Sequence, residues 1–115
     1  MPDSPIFVKT HDLLIYVLPL TLKFPRDYRF SLASRIQTCA LDLQRALVRA
    51  TKTKRAADLA DALIQADIEL AELRLDLRLA LDLKLIEPRP YAHAARLMDE
   101  VGRILGGWQK KPVPG

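Results

Sequence analysis

Lys23, Arg26 and Arg29 recur at every third residue through the stretch KFPRDYRF, interleaved with Phe24, Tyr28 and Phe30 around Pro25. Lys52, Lys54 and Arg55 crowd the turn TKTKR, Arg74 and Arg78 stand four apart in a leucine-rich run, and Lys110 and Lys111 follow the last apolar segment. Cations grouped in this way suit phosphate oxygens, which are recognised by charge, rather than base edges. The plainer alternative is solvated charge, with Arg74 and Arg78 balanced by Asp67 and Asp82 on the same side of a helix.

No other residues offer chemistry. The sequence has no glycine-rich phosphate loop, no metal-spaced set of cysteines and histidines, and no nucleophile elbow. His11 and His93 are far apart and read as surface or packing residues, and Cys39 occupies an apolar position in a helix. Asp99 and Glu100 are adjacent, so they point in different directions and are not a working carboxylate pair. A non-enzyme without cofactor or metal is the expectation.

Net charge is +4, made of +6 over residues 1–57, −4 over 58–86 and +2 over 87–115. The basic character therefore belongs to both ends of the chain, and although a weakly basic total is common in proteins that touch nothing charged, this separation favours a nucleic-acid partner. Half of the 115 residues are hydrophobic and 28% are charged, the balance of one folded domain with its own core. A single cysteine, no secretion-type leader, and a longest apolar run broken by Pro19 point to a cytoplasmic protein that does not enter membranes.

Four helices must position these residues. The first is expected over Thr10 to Phe24, bent at Pro19, and the second from an N-cap at Ser31 to about Thr51. A long third helix should span about Ala56 to Ile86 before Pro88 and Pro90 stop it. The fourth should run from Tyr91 to Leu105, ended by Gly106 and Gly107. Residues 1–9 and 109–115 would fray outside a core of about 10–108. LRLDLRLALDLKL places leucine at every second position, a strand-like period. Its lack of β-branched residues and its strong helix formers nevertheless favour a helix. Short connections between long amphipathic helices give an all-α, antiparallel up-and-down four-helix bundle.

On a helical wheel the third helix has two apolar faces. Leu63, Ala66, Leu70, Leu73, Leu77, Ala80 and Leu81 form one, while Ile68, Leu75, Leu79, Leu83 and Ile86 lie nearly opposite. One bundle core cannot cover both. Either the flanking helices wrap around the second face or other copies of the chain do.

The segments LLIYVLPLTLKFPRDYRFSLASRI, LALDLKLI and YAHAARLMDEVGRILGGWQK together resemble the Avd family, the accessory variability determinants of diversity-generating retroelements. That family is grouped with four-helix proteins encoded in ribosomal RNA intervening sequences. The likeness covers about His11 to Lys111, with FP followed by RF and the closing GRILGGW as its most specific parts. It implies a homopentameric barrel of bundles that binds RNA and DNA, partners a reverse transcriptase and takes part in mutagenic copying of a template RNA. No catalytic site is carried over. The alternative is a structural homo-oligomer of the intervening-sequence type. The acidic stretch from Asp58 to Glu72 departs from a uniformly basic surface.

Overall fold

A computed structural model describes residues 4–110, which are helical and contain no strand. α1 spans Pro5–Thr21, α2 Ser34–Lys52, α3 Ala56–Asp82 and α4 Pro88–Lys110. A 3-10 turn at Arg26–Tyr28 and a π-helical segment at Arg29–Ala33 join α1 to α2. Each helix packs on its sequence neighbours and α4 closes back on α1, giving the four-helix bundle. Its long dimension, 43 Å, matches the roughly 40 Å that the 27 residues of α3 span at about 1.5 Å each.

The core is apolar and assembled at helical spacing. Leu13 and Val17 of α1 meet Ile36, Leu43 and Leu47 of α2, Leu63, Leu70, Leu73 and Leu77 of α3, and Met98, Val101 and Leu105 of α4. Burying each such side chain favours folding by about 1.5–3 kcal/mol. The alternating leucines of α3 resolve as a helix: Leu73 and Leu77 are fully buried while Leu75 and Leu79 face outwards.

Helix boundaries depart from expectation where local chemistry was unusual. α1 starts at Pro5, with proline in its first turn where no N–H is needed, and Ile6 is fully buried, so residues 5–9 are helical. Ser31 is not an N-cap. It lies within the π-helical segment that runs unbroken into α2. α4 starts at Pro88 for the same reason as α1, with the Tyr91 N–H donating to the Glu87 carbonyl at 3.1 Å. Gly106 and Gly107 do not end α4, because Leu105 is buried and Trp108 packs against the core on either side of them.

α3 stops at Asp82 and not at Ile86. Lys84 takes a left-handed φ of 63°, its N–H donates to the Leu81 carbonyl at 2.9 Å, and the Leu85 N–H donates to the Ala80 carbonyl at 2.8 Å. This is a Schellman C-terminus with lysine in the place glycine usually takes. It turns Ile86 inwards, so that residue belongs to the core and not to an outer interface.

Candidate nucleic-acid interface

The up-and-down path sorts the cations by bundle end. Lys23, Arg26 and Arg29 lie between α1 and α2, at the end that also carries Lys84, between α3 and α4, and Arg89, in the first turn of α4. Lys52, Lys54 and Arg55 lie at the opposite end, where α4 finishes at Lys110. Lys111 falls outside the described residues.

Ion pairing separates these cations into two classes. Arg74 crosses to α4, where Nη1 donates to Asp99 at 2.7 Å and Nη2 to the Met98 carbonyl at 3.2 Å. Its carboxylate partner is thus Asp99, not Asp67. Arg78 pairs with Asp82 one turn on, at 3.2 Å, and Arg55 lies 3.9 Å from Asp58. These three are already engaged by carboxylates of their own chain. Lys23, Arg26, Arg29, Lys52, Lys54 and Lys110 are exposed, with no ion-pair partner among the described residues.

Arg45 and Arg49 join that second group, and the loop-centred sequence reading passed over them. With Lys52 they stand four and three residues apart on the exposed side of α2. They line a shallow groove of about 200 Å³ with Asp42, Ala46, Gln65 and Glu69. The i, i+4, i+7 spacing was the available signal.

The loop aromatics divide in the same manner. Phe24 is buried and Tyr28 is partly buried against the core, so both anchor the connection. Phe30 does not. It is 88% exposed, because the π-helical segment sends Arg29, Phe30 and Ser31 outwards together before Leu32 and Ala33 turn into the core.

Beside the cations lie unpartnered apolar stripes. Ile68, Leu75, Leu79 and Leu83 are exposed, with Leu75 at 70%, and Ile64 extends their row towards the start of α3. Val8, Ile15 and Leu22 on α1 and Leu41 and Val48 on α2 form further exposed sets at seven-residue spacing.

Burial and neighbouring carboxylates govern the titratable groups of the interior. Burial, then a hydrogen bond to Glu72 and the neighbouring carboxylates, pushes the Cys39 thiol up to about 12. Cys39, Glu69 and Glu72 bring ligand-type atoms within 4.8 Å of one another, and the two carboxylates beside the thiol disfavour its thiolate form. Burial also raises Asp76, against the opposing influence of Arg35 3.5 Å away. His93 packs edge-on against Tyr16 with ring centroids 4.4 Å apart, and His11 is exposed. No helix among the described residues is long and apolar enough to cross a membrane.

The family model described as bAvd-like covers residues 6–112. No curated protein matches the chain. The chain belongs to the bAvd-like family, an accessory-protein family.

Proposed function

We propose that this member of the bAvd-like family is a non-enzymatic accessory protein of a diversity-generating retroelement. In this role it binds template RNA and cDNA through its basic ends and partners the reverse transcriptase in mutagenic retrohoming. The observation that carries the reading is the set of exposed cations with no carboxylate partner in the described chain. Lys23, Arg26 and Arg29 occupy one end, and Arg45, Arg49, Lys52 and Lys54 run along α2 to the other. Such charges are available to phosphates without first breaking an internal pair. Assembly as a homopentamer belongs to the same reading and is supported by the apolar stripes on α1, α2 and α3.

Binding of unrelated RNA and DNA oligonucleotides, measured against salt, tests the proposal. Affinity should differ little between sequences and fall on the order of a hundredfold between roughly 50 and 200 mM salt. Reversing Lys23, Arg26 and Arg29 to glutamate should weaken binding more than reversing Arg74 and Arg78, whose charges are already neutralised within the subunit. That internal pairing also favours a second reading, a structural oligomer whose surface charge binds nothing. No binding at low salt would select the second reading.

A further inference from the structure

We propose that Phe30 is a stacking platform for an unpaired base of single-stranded nucleic acid, with Lys23, Arg26 and Arg29 holding the adjoining phosphates. The inference rests on the nucleic-acid reading above and adds to it a strand preference and a contact residue.

Phe30 stands out because its neighbours show what the loop needs for its own stability. Phe24 is buried, with its N–H donating to the Thr21 carbonyl at 3.2 Å, and Tyr28 packs against the core, with its N–H donating to the Pro25 carbonyl at 2.9 Å. Those two aromatics and Pro25 hold the connection. The third aromatic anchors nothing and is the most exposed of the large hydrophobic side chains described. Its backbone lies within continuous helical structure. The 3-10 turn ends at Tyr28, the π-helical segment begins at Arg29, and that segment runs directly into α2. π-Helical turns are uncommon and recur at functional sites, because they re-aim side chains that a regular helix would bury or disperse. Here the result is three consecutive outward residues, Arg29, Phe30 and Ser31.

The surroundings choose the occupant. Between Leu22 and Ser31 there are three cations and one acid, Asp27, and the cations have no ion-pair partner among the described residues. A bare aromatic ring amid unpaired cations is complementary to a ligand that offers flat faces and anionic linkages in alternation. Single-stranded nucleic acid is such a ligand. A duplex presents the same phosphates, but its base faces are already stacked on one another. Stacking on protein aromatics is tolerant of sequence, since every base has a π-face. Leu22, 78% exposed at the end of α1, adds apolar surface to the same loop.

The test compares oligo-dT of about 20 nucleotides with a hairpin duplex of matched charge, at low salt, using the full chain. Phe30→Ala should lower affinity for the single strand about tenfold and leave the duplex within about twofold of wild type. Phe30→Trp should retain single-strand binding. Phe30→Leu should lose it as alanine does, because leucine keeps apolar bulk without a ring. Phe30 is solvent-facing, so all three variants should fold and sediment as wild type does. The proposal is overturned by unchanged single-strand affinity in Phe30→Ala, by an equal loss for duplex, or by altered sedimentation, which would place Phe30 between subunits. Intact oligonucleotide binding with lost capture of the reverse transcriptase would assign Phe30 to a protein contact and overturn it too. Wild-type protein that binds neither oligonucleotide removes the nucleic-acid reading itself, an outcome distinct from a silent Phe30.

Discussion

Lys84 carries the chain through a left-handed turn that costs an L-residue with a Cβ roughly 1–2 kcal/mol. Glycine at that position would avoid the cost, while losing an exposed cation near the end of α3 that contributes about 0.3 kcal/mol against the helix dipole. The first effect is larger. Lys84→Gly should therefore stabilise the fold by about 1 kcal/mol, read as a higher urea midpoint at unchanged m-value. A midpoint that stays put or falls would show that the turn is not strained. The same residue explains why the end of α3 was hidden in the sequence. LDLKLIEP contains no glycine or asparagine, so the leucine periodicity carried the expected helix on to Ile86. Phe30 was hidden for a related reason. Three aromatics in eight residues look equivalent in the sequence, yet Phe24 is buried ahead of the 3-10 turn, Tyr28 is half-buried within it, and Phe30 is exposed by a π-helical segment that has no sequence signature. The pairing of Arg74 was equally illegible, because Asp99 is 25 residues away and on another helix, whereas the Arg78 pair with Asp82 follows from i, i+4 spacing.

α4 shows how packing outweighs local preference at the scale of an element. Its apolar residues continue past two glycines, with Leu105 buried before them and Trp108 packed after them, so the helix persists to Lys110 despite a penalty near 1 kcal/mol for each interior glycine. A Cβ at Gly106 or Gly107 would meet nothing within 4 Å, and neither has a positive φ. The double change Gly106→Ala and Gly107→Ala should stabilise the protein by about 1 kcal/mol, less than the full sum because the last turn frays. Gly102 differs. A Cβ there would lie 2.8 Å from Arg74 Nη2, the nitrogen that donates to the Met98 carbonyl, so Gly102→Ala must shift that guanidinium, disturb this bond and offset part of the propensity gain. Thermal melts should rank the double variant above wild type and Gly102→Ala near it. A double variant that melts at or below wild type would mean that the glycines serve a close approach in an assembly. What the sequence did disclose belongs to this scale: four helices, their order, the core face of α3 and the two basic ends all follow from periodicity and composition. The boundaries did not, because proline in a first turn and glycine in a packed helix read as breakers until burial is known.

The whole molecule leaves apolar rows on three of its four helices, and their arrangement bears on how many copies work together. Along α3 and its C-cap the exposed residues Ile64, Ile68, Leu75, Leu79 and Leu83 extend from residue 64 to residue 83, roughly 28 Å at a rise of about 1.5 Å per step. Val8, Ile15 and Leu22 on α1 and Leu41 and Val48 on α2 repeat every seven residues, the spacing of a helix that packs against another helix. The monomer's own core is complete without any of them. Soluble monomers seldom keep contiguous apolar surface larger than several hundred Å², so surface of this extent is expected to be covered by further copies of the chain. The purified protein should sediment well above its chain mass of 13.0 kDa at micromolar concentration, at the mass of five chains under the assembly proposed above. Leu79→Asp should dissociate it, because joining two such surfaces would strip water from a carboxylate that gains no partner. The folded monomer should survive, since Leu79 is half in solvent and aspartate in place of leucine costs a helix only about half a kcal/mol. Circular dichroism should therefore report unchanged helicity while sedimentation falls to the mass of one chain. A wild-type monomer, or an assembly that Leu79→Asp leaves intact, would remove the α3 stripe from the interface. Multiplicity also feeds back on nucleic acid. Several copies of each basic end on one particle raise the effective concentration of every cation, so the dissociated Leu79→Asp protein should bind long single strands more weakly while keeping its affinity for a short oligonucleotide that engages one subunit.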